Sequence, residues 1–254
     1  MGVHEAASSG FGAGADDYER GRPSYPDDAV AVLVDRLGIG PGRQVLDVAA
    51  GTGKLTRLLA STGAEVLALE PVAAMRDHLV EIVDGVTIVD GTAEAIDLPD
   101  DSLDAVTVGQ AFHWFDTEAA LAEAARVLRP GGGLGLIWNE RDTSEPWVAE
   151  LSRLIRWDER EQVSRVPYTL EVDWAARIDA LPTAFGPVQR YETTFRQVLD
   201  VDTLVARVLS TSYLASLDQP AKDALAARVR ELVADQPDPF VLPYETVAYW
   251  CHLR

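Results

Sequence analysis

Cysteine is nearly absent: Cys251 is the only one in 254 residues. An internal disulfide is therefore impossible, and a thiolate metal site is disfavoured. Lysine is almost as scarce, with only Lys54 and Lys222, so arginine carries nearly all the positive charge. Basic residues are outnumbered, 22 Lys+Arg against 41 Asp+Glu, for a formal net charge of −19. No basic stripe exists to displace counterions, which argues against DNA or RNA as a partner. Long apolar runs are missing too, and none approaches the roughly 20 residues needed to span a bilayer. The first sixteen residues are small and polar, without the basic start and apolar core of a signal peptide. His4, His78 and His252 lack ligand spacing, so no metal site is expected. These absences predict a cytoplasmic protein with neither membrane nor nucleic-acid partner, and they leave its oligomeric state open.

What is present is an ordinary globular composition, 47% hydrophobic and 25% charged. A chain of this length buries roughly 70–75% of its extended surface, enough for a large core without staples. Val30, Leu33, Val34 and Leu37 recur at helical spacing over Asp27–Leu37, closed by Gly38. Apolar strands are predicted at Gln44–Val48, Glu65–Leu69, Val86–Val89, Leu103–Val108 and Gly135–Trp138. Between them lie helical patterns beginning at Leu55, at Val72 and at Asp116, the last stopped by Arg129-Pro-Gly-Gly-Gly133. Apolar strands alternating with helices indicate a doubly wound α/β fold with a mostly parallel sheet buried on both faces.

Beyond Asn139 the rhythm changes. Residues 140–185 have helical spacing and no clear strand, and Trp147, Trp157 and Trp174 read as the core of a cap. A strand is predicted over Val188–Phe195, helices over 200–210 and 219–235, and a final strand over Phe240–Leu253. The expected division is a binding core with an N-terminal lid segment over residues 1–139. Residues 140–254 then supply helical insertions (about 140–185 and 198–236) capping the sheet's carboxyl edge, with two strands that bring the sheet to seven.

The most informative segment is Val45-Leu-Asp-Val-Ala-Ala-Gly-Thr-Gly-Lys54, a strand entering a glycine turn and then a helix. Such a unit sets backbone N–H groups beside a ligand with no Cβ in the way. A P-loop needs glycine at position 48 and Ser or Thr at 55, but Val48 and Leu55 stand there. A dinucleotide fingerprint needs glycine where Thr56 stands. Glu70 ends the second strand, 23 residues after Asp47 (70 − 47), where a carboxylate can accept ribose hydroxyl protons.

Asp47, Ala49, Gly51, Thr52 and Gly53 resemble the first motif of class I S-adenosylmethionine-dependent methyltransferases. Further pieces resemble the type 11 family in order and spacing: Asp90-Gly-Thr-Ala-Glu94, Pro99-Asp-Asp-Ser-Leu-Asp104, Gln110-Ala-Phe-His-Trp-Phe115 and Leu128-Arg-Pro-Gly-Gly132. Tyr18-Glu-Arg-Gly-Arg-Pro-Ser-Tyr-Pro26 and His113-Trp114-Phe115 look most like the subgroup that includes trans-aconitate methyltransferases. The resemblance spans Tyr18 to Trp138 strongly and the remainder loosely.

The resemblance implies a Rossmann-like fold, S-adenosylmethionine as cofactor and a set of roles. Asp47, Ala49, Gly51, Thr52 and Gly53 line the methionine and ribose side, with Ala49 in place of the usual first glycine, which requires negative φ there. Glu70 holds the ribose, and Pro71 and Met75 lie against adenine. Thr92, Ala93 and Glu94 border the adenine edge, Thr92 standing where the family often has Asp. Gln110 and Ala111 face the methionine amino group, and Tyr18 and Arg22 close over its carboxylate. The expected reaction is methyl transfer to the oxygen or nitrogen of a small-molecule acceptor. His113 is the candidate proton acceptor, and Arg22 or Arg141 are candidate anchors for an acidic acceptor. Two other readings of the glycine turn stay open at this stage, a non-catalytic protein that binds the adenosyl cofactor and an NAD-dependent oxidoreductase.

Overall fold

A computed structural model describes residues 15–155, 172–181 and 183–254. Helix α1 covers Ala15–Gly21 and α2 covers Asp27–Leu37. Helix α2 starts after Pro26, carries Asp27 and Asp28 in its first turn where the helix dipole favours them, and buries Ala29, Val30, Leu33 and Leu37. Gly38 ends it in the left-handed conformation, φ 62 and ψ 35, its N–H turned back to the carbonyls of Asp35 and Val34.

Strands β1 (Gln44–Val48), β2 (Glu65–Leu69), β3 (Thr87–Val89), β4 (Leu103–Gly109) and β5 (Leu128–Arg141) alternate with helices α3 (Lys54–Ala60), α4 (Ala73–Ile82) and α5 (Thr117–Val127). These strands pair in parallel. Strands β6 (Gln189–Leu199) and β7 (Phe240–His252) complete a seven-stranded sheet in the order β3-β2-β1-β4-β5-β7-β6. Strand β7 runs antiparallel to both neighbours. Val48 registers with Leu69 on one side and Val108 on the other, so β1, β2 and β4 end level. The loops that follow them gather at one edge, and the strand order reverses between β1 and β4, the place where open α/β sheets leave a crevice.

Alternate side chains of each strand supply two cores. Leu46, Val48, Val106, Leu136 and Trp138 face α5, while Val45, Ala105, Ile137 and Trp250 face α2 and α3. Burying each valine, leucine or isoleucine among these stabilises the fold by roughly 1.5–3 kcal/mol. A third core joins helices α6 (Pro146–Leu154), α8 (Val201–Leu209) and α10 (Gln219–Leu232) to Phe240, Leu242 and Tyr244 of β7. Strand β5 ends with Arg141 paired to Tyr244, and the β7 residues before Tyr244 pair with β6 alone. This third core therefore lies beyond the carboxyl ends of the parallel strands, as a cap. Helices α7 (Trp174–Asp179) and α9 (Ser212–Ala215) complete the described elements.

Several expectations need correction. Arg129–Gly133 is not a simple stop: β5 begins at Leu128, opposite Leu103, and its register shifts before Ala105. Gly131 takes φ 80 there, and a Cβ on Gly133 would lie 2.5 Å from Leu37 Cδ2, so the glycines serve close packing within a strand. Strand β6 runs on to Leu199 rather than ending at Phe195, because Gln197 and Leu199 find partners in Leu242 and Phe240. Helix α10 ends at Leu232, short of 235. Trp147 does pack into the cap, edge-on against Phe240. Trp174 instead stacks on Trp138 at 5.7 Å and 10°, in the core beneath the sheet. Trp157 lies outside the described residues. Among the described residues no helix is long and apolar enough to cross a membrane.

Candidate active site

The turn after β1 is shaped by backbone angles that side chains disfavour. Gly51 and Gly53 take φ 59 and 83. Ala49 also takes positive φ, 54, which overturns the expectation of negative φ at that position. A left-handed alanine costs roughly 1–2 kcal/mol. The surroundings hold the turn in shape: Ala50 N–H donates to Leu69 O at 3.1 Å and Gly53 N–H to Ala50 O at 2.9 Å.

Two acids stand behind this turn. Asp47 is fully buried and accepts the hydroxyls of Thr56 at 2.6 Å and Thr107 at 3.2 Å. Burial pushes its carboxyl up to about 7, against the pull of those hydroxyls, and the nearby Glu70 adds to the rise. Thr56 occupies the place of a dinucleotide motif's third glycine; its buried side chain there leaves no close-approach glycine and counts against the NAD reading. Glu70, 4% exposed at the tip of β2, accepts Gly51 N–H at 2.9 Å and Val72 N–H at 2.8 Å. Burial raises its pKa while those two N–H groups oppose the rise. A carboxylate accepts about four hydrogen bonds, so acceptor capacity is left over for a ligand's hydroxyls.

A cleft opens beside the turn, and Tyr18, Arg22, Asp47, Ala49, Thr52 and Gln110 of the predicted residues line it. Pro23, Tyr25, Ala50, Lys54, Leu55, Gly109 and Arg207 complete the wall. Gln110, at the end of β4, is another side-chain-bearing residue at positive φ, 61. Its Nε2 donates to Asn139 O at 3.0 Å, which leaves its amide oxygen to accept from a ligand. Strain of this kind collects at functional sites. Ala111 leads into a short 3-10 turn, Phe112–Trp114, whose His113 ring lies 5.0 Å from that of Trp114. Met75 is buried within α4 and offers a ligand almost no surface, and Pro71 is half-buried. Thr92 bridges to Ala95, Ala93 joins the core under the sheet, and Glu94 accepts Asp116 N–H at 3.0 Å. Thus Gly51, Gly53, Glu70, Pro71, Met75, Thr92, Ala93, Glu94, Ala111 and His113 all lie outside the wall of this cleft.

Five residues of the site escaped sequence reasoning. Glu19 ties α1 to the turn: it accepts Thr52 Oγ1 at 2.6 Å and Arg57 Nη2 at 2.8 Å, and lies 3.3 Å from Lys54 Nζ. Lys54, also on the cleft wall, donates from Nζ to Glu19 O at 2.8 Å. Tyr25 is buried with its hydroxyl where a Cβ on Gly109 would come within 2.5 Å. Asn139 joins three segments, donating to Ser24 O, accepting from Thr246 Oγ1 and offering its carbonyl to Gln110. Arg207 arrives from α8, pressed so close to α1 that a Cβ on Gly21 would lie 2.3 Å from its backbone nitrogen.

A glycine turn between β1 and α3, an acid at the tip of β2 and a 3-2-1-4-5-7-6 sheet define a Rossmann-like enzyme with its site at the carboxyl edge. Residues 46–136 match the methyltransferase-domain family of type 11. An uncharacterized methyltransferase of Mycobacterium tuberculosis is 40% identical over 245 residues, covering 94% of each chain. A methyltransferase-like protein of Schizosaccharomyces pombe is 33% identical over 92% of this chain and 91% of its own. In fold the chain is similar to a phosphoethanolamine N-methyltransferase of Haemonchus contortus solved with S-adenosylhomocysteine. That likeness has a TM-score of 0.60 at 15% identity and covers 100% of this chain and 60% of that one. The chain belongs to the type 11, class I S-adenosylmethionine-dependent methyltransferases.

Proposed function

We propose that the enzyme methylates an oxygen or nitrogen of a small molecule, using S-adenosylmethionine. The observation that carries the small-molecule reading is the roof over the cleft: Tyr18 of α1 and Arg22 just after it cover the opening beside the glycine turn, and Glu19 ties α1 to that turn. The acidic balance of the chain agrees, and the same reading places the enzyme in the cytoplasm, away from membranes and nucleic acids.

The residues fit the cofactor. Glu70 keeps free acceptor capacity for the ribose hydroxyls, and nothing lies within 4 Å of where a Cβ on Gly51 would stand, so a ligand can approach the backbone there. Ala49, Thr52, Gly53 and Asp47 shape the methionine and ribose side; Gln110 Oε1 and Ala111 serve the amino group, and Tyr18 and Arg22 the carboxylate. Pro71 and Thr92–Glu94 border adenine, with Met75 supporting from beneath. When bound, the cofactor supplies an electrophilic methyl on a sulfonium. The chain's part is alignment and exclusion of water, worth roughly 7–11 kcal/mol of barrier in well-oriented reactions. For an acceptor that must lose a proton, His113 on the turn after β4 is the base.

Calorimetric titration with S-adenosylhomocysteine and with NAD, followed by mass spectrometry of metabolites incubated with enzyme and S-adenosylmethionine, tests this. Binding of the adenosyl compound and a product one methylene heavier are expected. Tight NAD binding with none of the adenosyl compound would overturn the reading.

A further inference from the structure

Tyr25 carries a hydroxyl that the fold does not use. The residue stands in the connection between α1 and α2, is 7% exposed, and belongs to the core that Ala29, Leu33, Val45 and Leu55 help form. Its place is set from two sides. Asn139 Nδ2 donates to the preceding Ser24 O at 2.8 Å, and α2 starts directly after the following Pro26. Gly109, at the end of β4, makes room for the tip of the ring: a Cβ there would lie 2.5 Å from Tyr25 Oη and 3.2 Å from Cζ. Tyr25 and Gly109 both line the cleft, so the hydroxyl ends on its wall, beside the residue that precedes Gln110.

A phenylalanine would fill the same core without taking a polar atom out of water, so packing does not account for the oxygen. Among the described residues the hydroxyl neither gives nor receives a hydrogen bond. Burial, with Tyr18 and Asp47 nearby, holds the phenol well above its ordinary range, and the charge of Arg22 pulls the other way. The proton therefore stays on the oxygen, as a donor without an acceptor. Asp47 is turned instead to the hydroxyls of Thr56 and Thr107.

What fills the cleft must bring the acceptor. In the reading above the occupant is S-adenosylmethionine, whose tail has one anionic group, its carboxylate, and Arg22 sets positive charge on the same wall. We propose that Tyr25 is a further cofactor-binding residue, its hydroxyl donating to that carboxylate while Gln110 Oε1 meets the ammonium. Holding the two ends of the tail in this way fixes the line along which the methyl group faces its acceptor, and the reaction depends on that alignment. The proposal rests on the methyltransferase reading and adds to it a residue to which neither spacing nor resemblance gave a role.

The test titrates the full-length enzyme with S-adenosylhomocysteine, with its decarboxylated analogue and with methylthioadenosine, which lacks the whole amino-acid tail. Tyr25→Phe is expected to weaken S-adenosylhomocysteine about 10- to 100-fold, the worth of a hydrogen bond to a charged group, and to leave the other two within about twofold. The variant's melting temperature without ligand should be no lower than the parent's, because a buried hydroxyl without a partner is removed and the ring is kept. Gly109→Ala reaches the same oxygen by another route, since its methyl must displace the tip of Tyr25. It too should cost S-adenosylhomocysteine more than either analogue, and it decides the matter if the phenylalanine variant misfolds. An equal loss for all three ligands would show that the hydroxyl shapes the cleft without meeting the carboxylate, and would overturn the assignment. So would a loss shared by the decarboxylated analogue, which keeps only the amine, or an unchanged affinity for S-adenosylhomocysteine. A parent that fails to bind S-adenosylhomocysteine at all sinks the methyltransferase reading itself, and this proposal with it.

Discussion

The Glu70 carboxylate accepts the Gly51 N–H at 2.9 Å, so the tip of β2 fixes the turn that follows β1. The same carboxylate is the proposed ribose ligand, which makes it both scaffold and contact. Glu70→Gln replaces one acceptor oxygen with a donor, facing either a backbone N–H or a hydroxyl that must itself donate. S-adenosylhomocysteine affinity should fall about 10- to 100-fold by calorimetry, and Glu70→Ala should lose at least as much. An unchanged affinity in both would remove Glu70 from the cofactor site.

Asp47 gives the fold a pH dependence of unusual sign. Its carboxyl rises from an ordinary 3.8 to about 7 because the folded chain buries it. Between those values the native state holds a proton that the unfolded state has lost, so stability falls as pH rises through this window and levels off above it. The full span corresponds to a contribution on the order of 4 kcal/mol. Asp47→Asn should therefore melt higher than the parent at pH 8, with the gap closing towards pH 4. Parallel melting curves for both proteins across that range would show that Asp47 does not titrate this way.

Glu19 is the fastening of α1. Burial acts to raise its carboxyl, yet hydrogen bonds from Thr52 and Arg57 and the charges of Lys54 and Arg57 bring it below 4.5. The pairs are partly exposed, so Glu19→Ala should loosen α1 by only about 1 kcal/mol, roughly a fivefold larger open population. Trypsin should then cut after Arg20 about fivefold faster in the fast-reclosing regime, Arg22 being protected by the proline that follows it. Added S-adenosylhomocysteine should restore protection in the parent and less so in the variant. Equal cleavage rates would mean that α1 is held by its packing on α8.

Ala49 is a site where a smaller residue should stabilise. Glycine removes a left-handed penalty of roughly 1–2 kcal/mol and gives back about 0.5–1 kcal/mol of unfolded-chain entropy. Ala49→Gly should raise the melting temperature by roughly 1–4 °C with little change in turnover. A fall would mean that the Ala49 methyl packs usefully against the turn.

Strands β1, β2 and β4 were legible because parallel strands buried on both faces leave short, nearly continuous apolar runs, and α2 because Gly38 marks its end. Strand β5 was read too short, since its glycines look like a turn until Leu37 is seen against them. Asp47, Gly51 and Glu70 were singled out through local spacing, whereas Tyr18 and Arg22 came from resemblance alone. Glu19, Asn139 and Arg207 were illegible for a physical reason: their roles depend on partners distant in the chain. Arg22 meets Ser210 across 188 positions, and Asn139 meets Thr246 across 107. No periodicity encodes such meetings.

The place of β7 between β5 and β6 bears on how the molecule is made. When the ribosome has delivered β5, its outer edge has no neighbour until residues 240–252 emerge, 99 positions later (240 − 141). Through that interval the nascent chain presents an open row of amide groups, a template on which another chain can dock. Synthesis speed and chaperone supply should therefore govern soluble yield more than the final stability of the folded enzyme does.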